Sequence, residues 1–153
     1  MTRYASQTTV SSNSSRDEIE RTLRRYGANQ FVYGWQEMSA VIGFRMKNRN
    51  IRFNLPMPAK ADFRLTPGQR RVRSPEAIER EWEQAGRQHW RALALVIKAK
   101  LEAVETGITE FESEFMAHIV LPGGETVGEW MRPQIASAYE SGTMPRLLPG
   151  PSP

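Results

Sequence analysis

Nine cationic side chains crowd into residues 40–73: Arg45, Lys47, Arg49, Arg52, Lys60, Arg64, Arg70, Arg71 and Arg73, against one carboxylate, Asp62. Guanidinium and ammonium groups at that density neutralise phosphate or carboxylate oxygens on an anionic partner. The concentration is local. Residues 1–39, 40–73, 74–106 and 107–153 carry +1, +8, −1 and −4, so a chain of net charge +4 has a strongly basic middle and an acidic last third. The plain reading is solvated surface charge, screened within about 10 Å at ordinary salt. The functional reading is a surface that contacts the phosphates of nucleic acid, DNA or RNA. An alternative docks the same surface, as an adaptor or inhibitor, on an acidic partner protein.

Competing chemistry is scarce. The absence of cysteine excludes disulfides, thiolate metal sites, iron–sulfur clusters and cysteine nucleophiles. His89 and His118 are the two histidines, too few ligands for a metal centre. There is no Walker-type glycine loop and no GxGxxG; Gly123-Gly124 is a turn signal. Glu110, Glu112 and Glu114 alternate, but on a helix that spacing points them apart, and acids in a first turn favour the helix dipole. No catalytic residue, metal or cofactor is expected, and the chain reads as non-enzymatic. No apolar run approaches the ~18 residues of a membrane span, and no signal-like segment opens the chain. A cytoplasmic location is expected; self-association into a homo-oligomer stays open.

The elements that must position the cations follow from periodicity. Phe31, Tyr33 and Trp35 alternate as in a strand. Those three rings are either core or a stacking platform for single-stranded bases. Residues 41–47 and 50–56 read as a hairpin around an Asn48-Arg49 loop, which pairs Met46 with Ile51, Phe44 with Phe53 and Ile42 with Leu55. That register sets Arg45 opposite Arg52, a like-charge pair that needs solvent or an anion. Residues 57–73, with Pro58, Pro67 and Gly68, read as a basic loop.

Ser15 with Glu18, Thr109 with Glu112 and Thr126 with Glu129 are capping-box spacings. Ser74-Pro75-Glu76 opens the longest element, whose apolar stripe runs Ile78, Trp82, Ala85, His89, Leu93, Val96, Ile97, Leu101 and Val104. Its other face offers i,i+4 pairs, Glu76–Arg80, Glu83–Arg87 and Lys98–Glu102. Pro133 predicts a kink or early stop in the last helix. The expected fold is α+β: a small antiparallel sheet of three to four strands packed on one long helix, with two or three shorter helices. The expected organisation is a flexible segment 1–14, a single domain 15–142, and a disordered Pro-rich tail 143–153.

The stretches EIERTLRRYGA (18–28), VIGFRMKNRNIRFNLPMP (41–58), WRALALVIKAKLEAVETGIT (90–109) and FMAHIVLPGGETVGEWMRPQI (115–135) resemble small hypothetical proteins of tailed phages and their prophages. The resemblance covers most of the chain except its termini. It implies a bacterial cytoplasmic setting and a phage DNA-metabolism or early-function role, and it carries no cofactor and no site residue.

Overall fold

A computed structural model of the 153-residue chain describes residues 8–36 and 39–144. Most of the expected Pro-rich tail, half of the expected N-terminal segment and residues 37–38 lie outside the described residues. The chain is an α+β protein. Its antiparallel sheet runs β1 (Gln30–Gln36), β2 (Ser39–Met46), β3 (Arg49–Pro56) in that spatial order. The α-helices among the described residues are α1 (Ser12–Arg25), α2 (Pro75–Glu105), α3 (Phe111–Phe115) and α4 (Val127–Ser141). None of these is long and apolar enough to cross a membrane.

One sheet face makes the core. Period-two alternation buries Ala40, Ile42, Phe44 and Met46 on β2 and Ile51 and Phe53 on β3. Against them pack Ile19 and Leu23 of α1 and Trp90, Leu93, Ala94, Ile97 and Leu101 of α2. Phe115 closes the cluster, edge-on to Phe44 at 6.0 Å and to Phe53 at 6.3 Å. Ile119 and Val120 run beside β3, through a bridge to Ile51 and a bond from the Val120 N–H to the Asn50 carbonyl.

Several boundaries differ from the sequence reading. Ser11, not Ser15, caps α1, accepting from the Ser14 N–H at 3.1 Å; Ser15 lies buried inside the helix. Residues 12–14 are therefore helical, and Gln84 donates to the Thr8 carbonyl at 2.9 Å. On α2 the Ser74 cap and Pro75 stand as expected, but the core-facing stripe begins at Trp90. Trp82 and His89 are only half-buried; Trp82 packs under Lys60 and bonds the Pro58 carbonyl, on the 57–63 segment and not on the sheet. Thr109 does not cap α3, whose N-cap is Glu110. The Thr126–Glu129 capping box forms both of its bonds, and α4 continues through Pro133 to a left-handed Gly142 at φ 69°.

Candidate nucleic-acid interface

The β2–β3 hairpin turns one residue earlier than expected. Lys47 and Asn48 form the loop with φ of 49° and 61°, the left-handed pair of a type I′ turn. Every cross-strand partner shifts by two, to Met46–Arg49, Phe44–Ile51 and Ile42–Phe53. A shift of two leaves each side chain on its face, so the buried set is the expected one. It does change the charges. Arg45 now faces Asn50, to which it donates at 3.5 Å, and Arg52 faces Gly43. The like-charge opposition of Arg45 and Arg52 is gone.

The hairpin cations then find partners in the acidic last third. Arg52 is half-buried and donates to both Glu129 oxygens, at 3.2 and 3.4 Å. Asn54 donates to the same carboxylate at 3.0 Å, and so does the Thr126 N–H at 3.2 Å. That backbone bond, before the Arg52 charge and the side-chain bonds, holds Glu129 below the usual carboxylate range against an opposing desolvation. Arg49 pairs with Glu112 at 3.4 Å. Lys47 is exposed, with its ammonium 5.6 Å from the centre of the Phe111 ring.

Residues 57–73 are an ordered excursion and not a structureless loop. The Trp82 indole N–H donates to the Pro58 carbonyl at 2.8 Å, and the Asp62 carboxylate accepts from the Ala59 N–H at 3.1 Å. Lys60 pairs with Glu79 at 2.7 Å and lies 4.6 Å over the Trp82 ring. Beyond a 3-10 turn at Lys60–Phe63, residues 64–73 double back as a miniature hairpin. Leu65 bridges Val72, the Thr66 N–H bonds the Arg71 carbonyl at 2.9 Å, and the Arg73 N–H bonds the Arg64 carbonyl at 2.8 Å. The Arg73 guanidinium is spent internally, donating to the carbonyls of Phe63 and Leu65 at 3.1 Å each.

Three predicted cations remain: Arg64, Arg70 and Arg71 are exposed, and none is in an ion pair among the described residues. Alternation about the Leu65–Val72 bridge sets Arg64, Arg71 and Arg73 on one face, with Arg70 in the turn beside them. The nine residues are thus divided. Arg52, Arg49, Lys60 and Arg73 are held by protein groups, Arg45 and Lys47 more loosely, and the remaining three are open.

The strand aromatics share the core side of β1. Tyr33 packs edge-on to Trp90 at 5.5 Å, and the Arg16 guanidinium lies 4.6 Å over Tyr33 and 5.1 Å over Trp90. Phe31 is half-buried against the core, whereas Trp35 is 73% exposed. Tyr33 is therefore no free stacking platform. Sequence reasoning missed Glu112 and Glu129 as counter-charges; the −4 of residues 107–153 was the available signal. Among the described residues no three of His, Asp and Glu converge as metal ligands. Compared with family models, curated proteins and solved structures, the chain finds no match.

Proposed function

We propose that this is a non-enzymatic nucleic-acid-binding accessory protein whose phosphate contacts centre on the 64–73 turn. The observation that carries the reading is three exposed guanidiniums on one turn with no ion-pair partner among the described residues, where the other predicted cations mostly have partners. Guanidiniums held ready, without carboxylates to displace, suit phosphate oxygens. Desolvating an already paired Arg52 gains less, since Glu129 must first be given up. The phage setting belongs to the same proposal and rests on the resemblance of the sequence segments.

Fluorescence anisotropy with labelled single- and double-stranded oligonucleotides over a salt series tests it. Three phosphate contacts give a log–log salt slope of about −3. Affinity of this kind is weak at physiological salt, about 10⁻⁴ to 10⁻⁶ M, so the series begins at low salt. Replacing Arg64, Arg70 and Arg71 together by Ala should remove most of the slope, and Arg52→Ala should leave it unchanged. A slope carried by Arg52 and indifferent to the triple variant overturns the placement. No binding at low salt favours the second reading, docking of the same guanidiniums on an acidic protein surface.

A further inference from the structure

Among the described residues nothing pairs with the outer edge of β1. That edge is seven residues long, Gln-Phe-Val-Tyr-Gly-Trp-Gln, and has no charge and no proline, although 25% of the chain is charged. Its pairing with β2 is continuous, with no bulge. Edge strands are normally guarded by charges, prolines or bulges, because their free N–H and C=O groups capture another strand. This one lacks all three and exposes bulk as well: Val32 is 63% exposed and Trp35 73%.

We propose that this edge is a self-association surface, on which a second copy of the chain pairs β1 to β1, antiparallel, about a two-fold axis at Tyr33. The two three-stranded sheets then become one of six strands. The strand's own order supports the second copy as occupant. With the axis at Tyr33, Gln30 faces Gln36 of the other copy, Phe31 faces Trp35, and Val32 faces Gly34. Polar meets polar at the ends, aromatic meets aromatic inside them, and the branched side chain meets the residue with none. Moving the axis by one residue, to Val32 or to Gly34, sets Gln30 against Gly34 or Val32 against Gln36 and loses the match.

Burial argues the same way. Phe31 and Trp35 both lie on the core side, so each Trp35, exposed in its own copy, covers the half-buried Phe31 of the other. A neutral strand also meets its copy without like-charge opposition. The assembly closes at two, because the opposite edge of the sheet is partly taken by Ile119 and Val120.

An edge of seven residues is only about 23 Å long, so a micromolar dimer is expected, below the strength of a standard interface. Sedimentation velocity of the full chain over roughly 1 to 500 μM brackets that affinity. A concentration-dependent dimer is expected, weakened at least ten-fold by Val32→Lys and by Trp35→Lys. Both positions are exposed, and circular dichroism checks that each variant folds.

The register has its own test, since the chain has no cysteine of its own. The double variant Val32→Cys/Gly34→Cys should cross-link between copies on oxidation. A Cβ added at Gly34 meets nothing within 4 Å, so the fold admits it. Gln30→Cys should not cross-link, because in this register the two copies of residue 30 stand about 20 Å apart. A monomer throughout overturns the proposal, whether the edge is bare or covered by another segment. So does a dimer indifferent to both lysines, or equal cross-linking through Gln30→Cys.

Discussion

The β2–β3 hairpin and the 64–73 turn carry four predicted cations each: Arg45, Lys47, Arg49 and Arg52 on one, Arg64, Arg70, Arg71 and Arg73 on the other. They differ in what surrounds them. The first is the outer skin of the core, and the chain's acidic last third returns beside it to supply Glu112 and Glu129. The second projects before α2, where no carboxylate reaches Arg64, Arg70 or Arg71 among the described residues. Equal charge in sequence becomes unequal charge in space. What a partner meets is the unpaired remainder, and that remainder depends on which acids the topology brings back.

The sharpest way to break this comparison is through burial. Phe53 is 5% exposed and stacks on His118 at 4.0 Å, while Val72 is 72% exposed. Phe53→Ala should cost about 3–5 kcal/mol by chemical denaturation. Val72→Ala should stay within about 0.5 kcal/mol, as surface changes do. Equal losses would mean that the 64–73 turn is also part of the core. The next effect is at Trp82, which ties the second region down. Losing its half-buried ring and its bond to the Pro58 carbonyl should cost roughly 1–3 kcal/mol. Trp82→Ala should also speed proteolysis within 57–73 while leaving the β2–β3 hairpin protected, a pattern that limited digestion reads directly.

A smaller effect separates the cations themselves. Arg52→Ala removes a partly buried pair with Glu129 and should cost about 1 kcal/mol, the upper end for pairs that water still reaches. Replacing Arg64, Arg70 and Arg71 by Ala removes no internal partner and relieves mutual repulsion, so thermal stability should be unchanged or slightly raised. A destabilised triple variant would show those three guanidiniums to be structural.

The fold was legible because alternation and helical periodicity encode faces. The long helix, its Ser74 cap and the buried set on β2 and β3 all follow from such patterns. The hairpin register was not legible, for a definite reason. The expected and observed registers differ by two, bury the same residues, and are told apart only by turn chemistry and by the Arg45–Arg52 repulsion. The order within 57–73 was hidden because it comes from Trp82 and Arg73, whose bonds span 24, 10 and 8 residues.

Charge pairing failed to read locally for the same cause. None of the i,i+4 pairs expected on α2 appears among the ion pairs; Arg91 reaches Glu18 of α1, and Lys100 reaches Glu114 of α3. A pair within one helix is worth a few tenths of a kcal/mol, which any well-placed tertiary partner can outbid. The division of the nine cations into held and open was therefore beyond the sequence, which records their density and not their neighbours.

The smallest expected effect is a pH dependence that belongs to one region only. His118 is half-buried against Phe53; burial pushes its imidazole below the ordinary value, the Lys100 charge adds to this, and a hydrogen bond with the Arg52 backbone opposes it. Above the unfolded value of about 6.5 the ring is neutral in both states and contributes no slope. Below it the unfolded chain takes up a proton that the folded chain resists, so stability falls as pH drops from about 6.5 toward the depressed folded value. Glu129 acts lower, its contribution being lost only as pH falls below the ordinary carboxylate range. Melting curves between pH 8 and about 5 therefore isolate the histidine. The wild type should melt progressively lower below pH 6.5, and His118→Phe, which keeps a ring on Phe53, should lose most of that slope. The 64–73 turn holds no group that titrates there, so its proteolytic susceptibility should not change over the same range. A slope that survives in His118→Phe would show that the pH sensitivity does not come from the His118 ring.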